Sequence, residues 1–127
     1  MRIAGWIFAA VAAAIHVYIF VLESVRWTAP ATRAVFGTTE QQAEDTRLLA
    51  YNQGFYNLFL AVMAVLGIIF GAAGATAVGA ALIFAGCGAM TLAGLVLITS
   101  GPGRVRPALV QLVAPALAVI ATAIAVS

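Results

Sequence analysis

What this sequence lacks above all is charge. Only 8% of its 127 residues are charged, it contains no lysine, and it holds one histidine and one cysteine. A soluble domain carries about 25% charged and about 45–50% apolar residues; here 65% are apolar and the mean hydropathy is +1.12. That balance excludes a water-soluble globule, a disordered tail and a nucleic-acid-binding module. The net charge of +2 comes from six arginines scattered through loops, so no basic run forms. Cys87 has no partner for an intramolecular disulfide and reads as a small packing residue. With a single histidine and no CxxC or HExxH spacing, the chain falls short of the three protein ligands that a catalytic zinc needs, so neither a metal nor a cofactor is expected. Nor is there a G-x-S-x-G elbow or a phosphate-cradling glycine loop.

What is present is apolar length. Four stretches, at about 3–25, 48–71, 75–99 and 107–126, approach the roughly 20 residues that cross a 30 Å hydrocarbon core. Lipid offers exposed backbone no partner, so each is expected to be an α-helix, and the short links at 71–74 and 100–106 make successive helices antiparallel. The expected fold is an all-α, single-domain, up-down bundle of four transmembrane helices. A cleavable leader is considered because Arg2 precedes an apolar run with small residues at Ala10 and Ala12. That run continues to Leu22 and ends in Trp27, which suits a retained helix with an interfacial anchor. The first and third loops hold Arg26, Arg33, Arg47, Arg104 and Arg106, whereas the opposite side holds Arg2 alone. By the positive-inside rule the arginine-bearing loops, including loop 27–47, face the cytoplasm and both termini face outward. A bacterial cytoplasmic (inner) membrane is the expected location.

Loop 27–47 is the one substantial segment outside the spans. Pro30 opens it, Gly37 interrupts it, and Thr38 with Gln41 predicts a capping box for a helix running through Glu40, Glu44 and Asp45 into the second span.

The informative residues are polar ones inside spans. His16 and Glu23 are seven apart, nearly two helical turns, and so share a face. Counted from Trp27 at 1.5 Å per residue, Glu23 lies roughly 6 Å deep and His16 roughly 16 Å deep. The second span enters from the same side with Asn52, Gln53, Tyr56 and Asn57 at depths of roughly 6–14 Å. Thr91, Thr99 and Gln111 add polarity to the same half, and Pro115 loosens the fourth helix nearby. Such groups are tolerated facing a bundle interior or a wet cavity, so the economical reading is a polar chamber open toward the cytoplasm. The plainer reading makes Thr91, Thr99 and Gln111 interhelical glue, Glu23 a snorkelling partner of Arg26, and His16 a hydrogen-bonded core imidazole.

Small residues supply packing. Gly67 and Gly71 form a GxxxG pair, and Gly79, Gly86 and Ala93 recur every seven residues, compatible with packing inside one chain or with a homodimer. Tyr18, Phe20, Phe55 and Phe59 are candidates to line an apolar pocket, although aromatics in spans commonly face lipid or core.

The run His16, Tyr18, Glu23, Trp27, then Phe36-Gly37, then Asn52-Gln53-Gly54-Phe55-Tyr56-Asn57 with Phe59-Leu60-Ala61, resembles the integral membrane family known as domain of unknown function 1304. The similarity extends over essentially the whole chain. It implies the four-helix fold and a site pairing His16 and Glu23 on the first helix with Asn52, Gln53 and Asn57 on the second; it implies no reaction.

Three functional readings stay open. The first is an intramembrane site that binds, and acts by acid/base chemistry on, a lipid-like or small amphipathic substrate, with His16 and Glu23 exchanging protons and Asn52, Gln53, Tyr56, Asn57 and Gln111 orienting it. Its geometric weakness is the separation of His16 from Glu23, about 10.5 Å along the helix axis. The second is a proton-coupled or small-solute transporter acting as an oligomer, since an acid and a histidine are parts of proton relays. The third is an accessory subunit whose polar residues fix helix register. The partners expected are the bilayer, a small amphipathic ligand and a second copy of the chain.

Overall fold

The computed structural model describes all 127 residues, every regular element of which is helical. Helix α1 (Arg2–Phe20) continues into a π turn (Val21–Val25). Two short helices follow, α2 (Pro30–Phe36) and α3 (Glu40–Asp45), and then three long ones, α4 (Arg47–Ala72), α5 (Thr76–Thr99) and α6 (Val105–Val126). Four helical stretches, Arg2–Val25, Arg47–Ala72, Thr76–Thr99 and Val105–Val126, are long and apolar enough to cross a membrane. This is an all-helical membrane protein.

The four long helices form a closed ring in chain order: α1 packs on α4, α4 on α5, α5 on α6, and α6 back on α1, while α1 barely meets α5 across the diagonal. Opposed glycine contacts fix the antiparallel sense. Gly71 of α4 lies against Trp6 near the start of α1, and Gly54 lies against Ser24 at its end; Gly5 lies against Thr122 of α6.

Small side chains let the backbones approach. A Cβ at Gly67 would stand 2.9 Å from the Gly79 carbonyl oxygen, and Gly86 sits against Leu60, Met63 and Ala64. Gly67, Gly79 and Gly86 thus pack between α4 and α5 within one chain, and Gly71 also meets Trp6 of α1. The seven-residue spacing does not persist: Ala93 is exposed, and Gly94 takes the buried position against Leu112 of α6. The centre is apolar and alanine-rich, with Ala9, Ala12, Ala61, Ala64 and Ala118 packed around Ile83, Cys87 and Met90.

The loop after the π turn folds as a compact cap. Pro30 occupies the first turn of α2, and Gly37 ends it in the left-handed conformation (φ 67°). The Trp27 indole N–H donates to Thr46 Oγ1 (3.1 Å), and its ring lies 5.0 Å from that of Phe36. The capping box falls one residue later than the sequence suggested, on Thr39 and Gln42. The Thr38 amide donates to the Arg33 carbonyl and so closes α2, leaving Thr39 to cap the next helix. Nor does that helix run unbroken into the span, because it stops at Asp45 and α4 begins beyond Thr46.

Candidate functional site

The site is built where α1 ends. Regular α geometry gives way at Val21–Val25 to one π turn, in which the Arg26 amide donates to the Val21 carbonyl five residues back (2.9 Å). Glu23 sits in the middle of that turn. Its side chain is half-buried, and its Oε1 accepts a hydrogen bond from Asn57 Nδ2 of α4 at 2.7 Å. The same Asn57 nitrogen donates to the Gln53 carbonyl at 3.2 Å, which ties the amide to its own helix. Glu23 makes no ion pair with Arg26; the sole salt bridge in the molecule joins Arg47 to Glu44 at 3.8 Å on the exposed surface. The snorkelling reading of Glu23 is thus replaced by an interhelical carboxylate–amide bond.

Glycine makes that bond geometrically available. A Cβ at Gly54 would collide with Ser24 Oγ and stand 2.9 Å from the Ser24 backbone nitrogen. Only a residue without a side chain lets the π turn settle onto α4 there. The approach is locked by Ser24 Oγ donating to the Tyr51 carbonyl at 2.7 Å. Gly54 and Asn57 are three apart and so share one face of α4, matching the adjacent pair Ser24 and Glu23. Sequence reasoning missed Ser24 and treated Gly54 as part of a motif without a role. The readable signal was the three-residue spacing from Gly54 to Asn57 opposite a Glu-Ser pair.

Beside this junction lies a cleft of about 430 Å³. Its walls are Glu23, Ser24, Val25, Trp27 and Thr28 on one side and Arg47, Leu48 and Tyr51, from the first turns of α4, on the other. Glu23 is its one acid and Arg47 its one base. At the opposite end of the bundle a void of about 20 Å³, among Arg2, Trp6, Thr76 and Thr122, has room for about one water molecule.

The expected site residues divide accordingly. Glu23 and Asn57 are brought together. His16 is almost wholly buried and on the inward face of α1, but its Nδ1 bonds the Ala12 carbonyl of its own helix (2.9 Å), and it does not line the cleft. Asn52 is exposed and donates to the Leu48 carbonyl (2.9 Å), Gln53 is exposed, and Tyr56 points outward at 64% exposure. Gln111 is half-buried on α6 with no side-chain hydrogen bond to the rest of the protein. The buried face of α4 runs through Ala50, Gly54, Asn57, Ala61 and Ala64, and at 100° per residue Asn52 and Tyr56 fall well outside that arc. Thr91 and Thr99 bond carbonyls of their own helix, at Cys87 and Val96. Of the aromatics, Phe20 packs edge-on to Phe55 (5.1 Å), Tyr51 to Phe55 (5.0 Å), and Tyr18 is exposed. The aromatic walls of the cleft are instead Trp27 and Tyr51.

Four antiparallel apolar helices, with a cleft lined by one acid and one base at the end of the first, define a small polytopic membrane protein. The chain belongs to the family described as "Protein of unknown function (DUF1304)", whose model matches residues 10–123. No curated protein and no solved structure matches the chain.

Proposed function

We propose that this protein binds a lipid-like or small amphipathic molecule in the Glu23 cleft, with Glu23 as the group that takes up or releases a proton on it. One observation carries the reading: a carboxylate within a membrane-spanning segment is hydrogen-bonded by Asn57 through one oxygen, and the same residue lines a cleft large enough for a small ligand. A carboxylate whose role was only to fix helix register would have no need of a cleft. The second oxygen of Glu23 is the acceptor offered to a ligand. His16 acts behind the cleft as a buried packing group, and Asn57 as the residue that positions Glu23; Asn52, Gln53, Tyr56 and Gln111 drop out of the contact set.

In this reading the arginine-bearing loops lie in the cytoplasm, both termini outside, and the cleft opens at the cytoplasmic face of a bacterial inner membrane. A transporter fits less well, because the alanine-rich core around Ile83, Cys87 and Met90 separates the cleft from the far end and supplies no polar path. Photolabelling with an alkyl-diazirine amphiphile in vesicles tests the proposal. Adducts concentrated on residues 24–28 and 48–51, and diminished by Thr28→Trp, are expected. Uniform labelling of lipid-facing positions on all four helices would overturn it.

A further inference from the structure

The cleft pairs two unlike charges on two different segments, and that pairing specifies a ligand more narrowly than size does. We infer that it receives a zwitterionic head group, an ammonium against Glu23 and a phosphate against Arg47, belonging to a membrane phospholipid. The inference rests on the cleft-binding reading above and gives its ligand a chemical class.

The lining of the cleft supports it. Glu23 reaches it from the π turn with one oxygen committed to Asn57, leaving the other for an N–H donor. Trp27 and Tyr51 also line it, and aromatic rings are the side chains on which a cation is stabilised. The Trp27 ring is held in place by Thr46 and Phe36 and needs no ordering on binding. On the opposite wall Arg47 has only Glu44 for a partner, at 3.8 Å with both side chains more than half exposed, a pairing too loose to hold it. Its guanidinium is free to turn to a phosphate, whose geometry it matches with two parallel hydrogen bonds. Arg47 is also the first residue of α4, where the helix dipole favours an anion.

The apolar part of the ligand has a track as well. Tyr51 lines the cleft, and Phe55 and Phe59 follow at one-turn intervals on α4, with ring centroids 5.0 and 6.3 Å apart in succession. Tyr51 and Phe59 are about half exposed on the outside of the bundle. The stripe runs about 12 Å from the cleft into the depth of the span, alongside which a phospholipid tail lies. A free head-group compound makes the polar contacts alone.

Native mass spectrometry of the full chain, released from nanodiscs containing equal amounts of phosphatidylethanolamine and phosphatidylglycerol, tests this. Retention of phosphatidylethanolamine several-fold above phosphatidylglycerol is expected, with Glu23→Gln bringing the ratio to about one and Arg47→Gln lowering retention of both. Soluble phosphoethanolamine at equal concentration should displace little; full displacement would overturn the membrane source. Thr28→Trp, which fills the cleft from an exposed position, separates the two levels of the account. If it reduces lipid retention but the wild type shows no preference between lipids, the head-group inference falls and the amphiphile site stands. If it leaves retention unchanged, both fall.

Discussion

At the scale of single residues the protein turns on Glu23, Asn57 and Gly54. Asn57 supplies the one hydrogen bond that reaches Glu23 from another helix. Asn57→Leu should therefore strand a partly buried acceptor and cost about 1–3 kcal/mol. Glu23→Gln, which keeps a carbonyl oxygen for Asn57, should cost much less; thermal unfolding in detergent distinguishes the two, and equal melting would mean the bond contributes nothing. Gly54→Ala pushes a methyl into Ser24 and its backbone and should destabilise by about 1–3 kcal/mol. Gly88→Ala is the matched control. A Cβ at Gly88 meets nothing within 4 Å, so replacing this helical glycine should be neutral or stabilise by up to about 1 kcal/mol. If both glycines respond alike in the same melt, close approach at Gly54 is not what that residue provides.

At the scale of elements, the long helices were legible because composition alone decides them. Apolar runs at 3–25, 48–71, 75–99 and 107–126 meet helices whose ends differ from those bounds by two residues or fewer. What sequence could not supply was rotation about each axis. Asn52, Gln53, Tyr56 and Asn57 share a depth, but only the 100° steps of α4 decide that Asn57 faces the Glu23 segment and that Asn52 and Tyr56 face away. The π turn was illegible for a related reason: Val21–Val25 carries no glycine or proline to mark it, and it forms where α1 settles onto Gly54. The cap register was degenerate, since Thr38 with Gln41 and Thr39 with Gln42 have the same spacing. Closure of α2 by the Thr38 amide resolves it. Thr39→Ala should accordingly cost about 1 kcal/mol of local stability, read as faster amide hydrogen exchange over 40–43. Thr38→Ala should change that exchange little, because the buried Thr38 hydroxyl has no hydrogen-bond partner to lose; the reverse pattern would restore the earlier register.

At the scale of the whole molecule, the two ends of the bundle are unlike. One end carries a charged cleft of about 430 Å³ under a structured loop, and the other a void of about 20 Å³ closed by Trp6 against Gly71. The apolar, alanine-rich centre lies between them. Five of the six arginines lie in the two loops on the cleft side or in the first turns of the helices that leave them, so a reporter fused at Ser127 should read out on the non-cytoplasmic side. A cytoplasmic signal would reverse the direction in which the cleft opens. The central claim, that the Glu23 cleft is a ligand site, is tested most directly by an experimental structure of the protein in native lipid. The account predicts elongated density entering past Tyr51, with its polar end within hydrogen-bonding distance of the Glu23 oxygen that Asn57 does not occupy. A cleft closed by Arg47 and Tyr51 folding onto Glu23, with ordered lipid only on the outer faces of the helices, would contradict it.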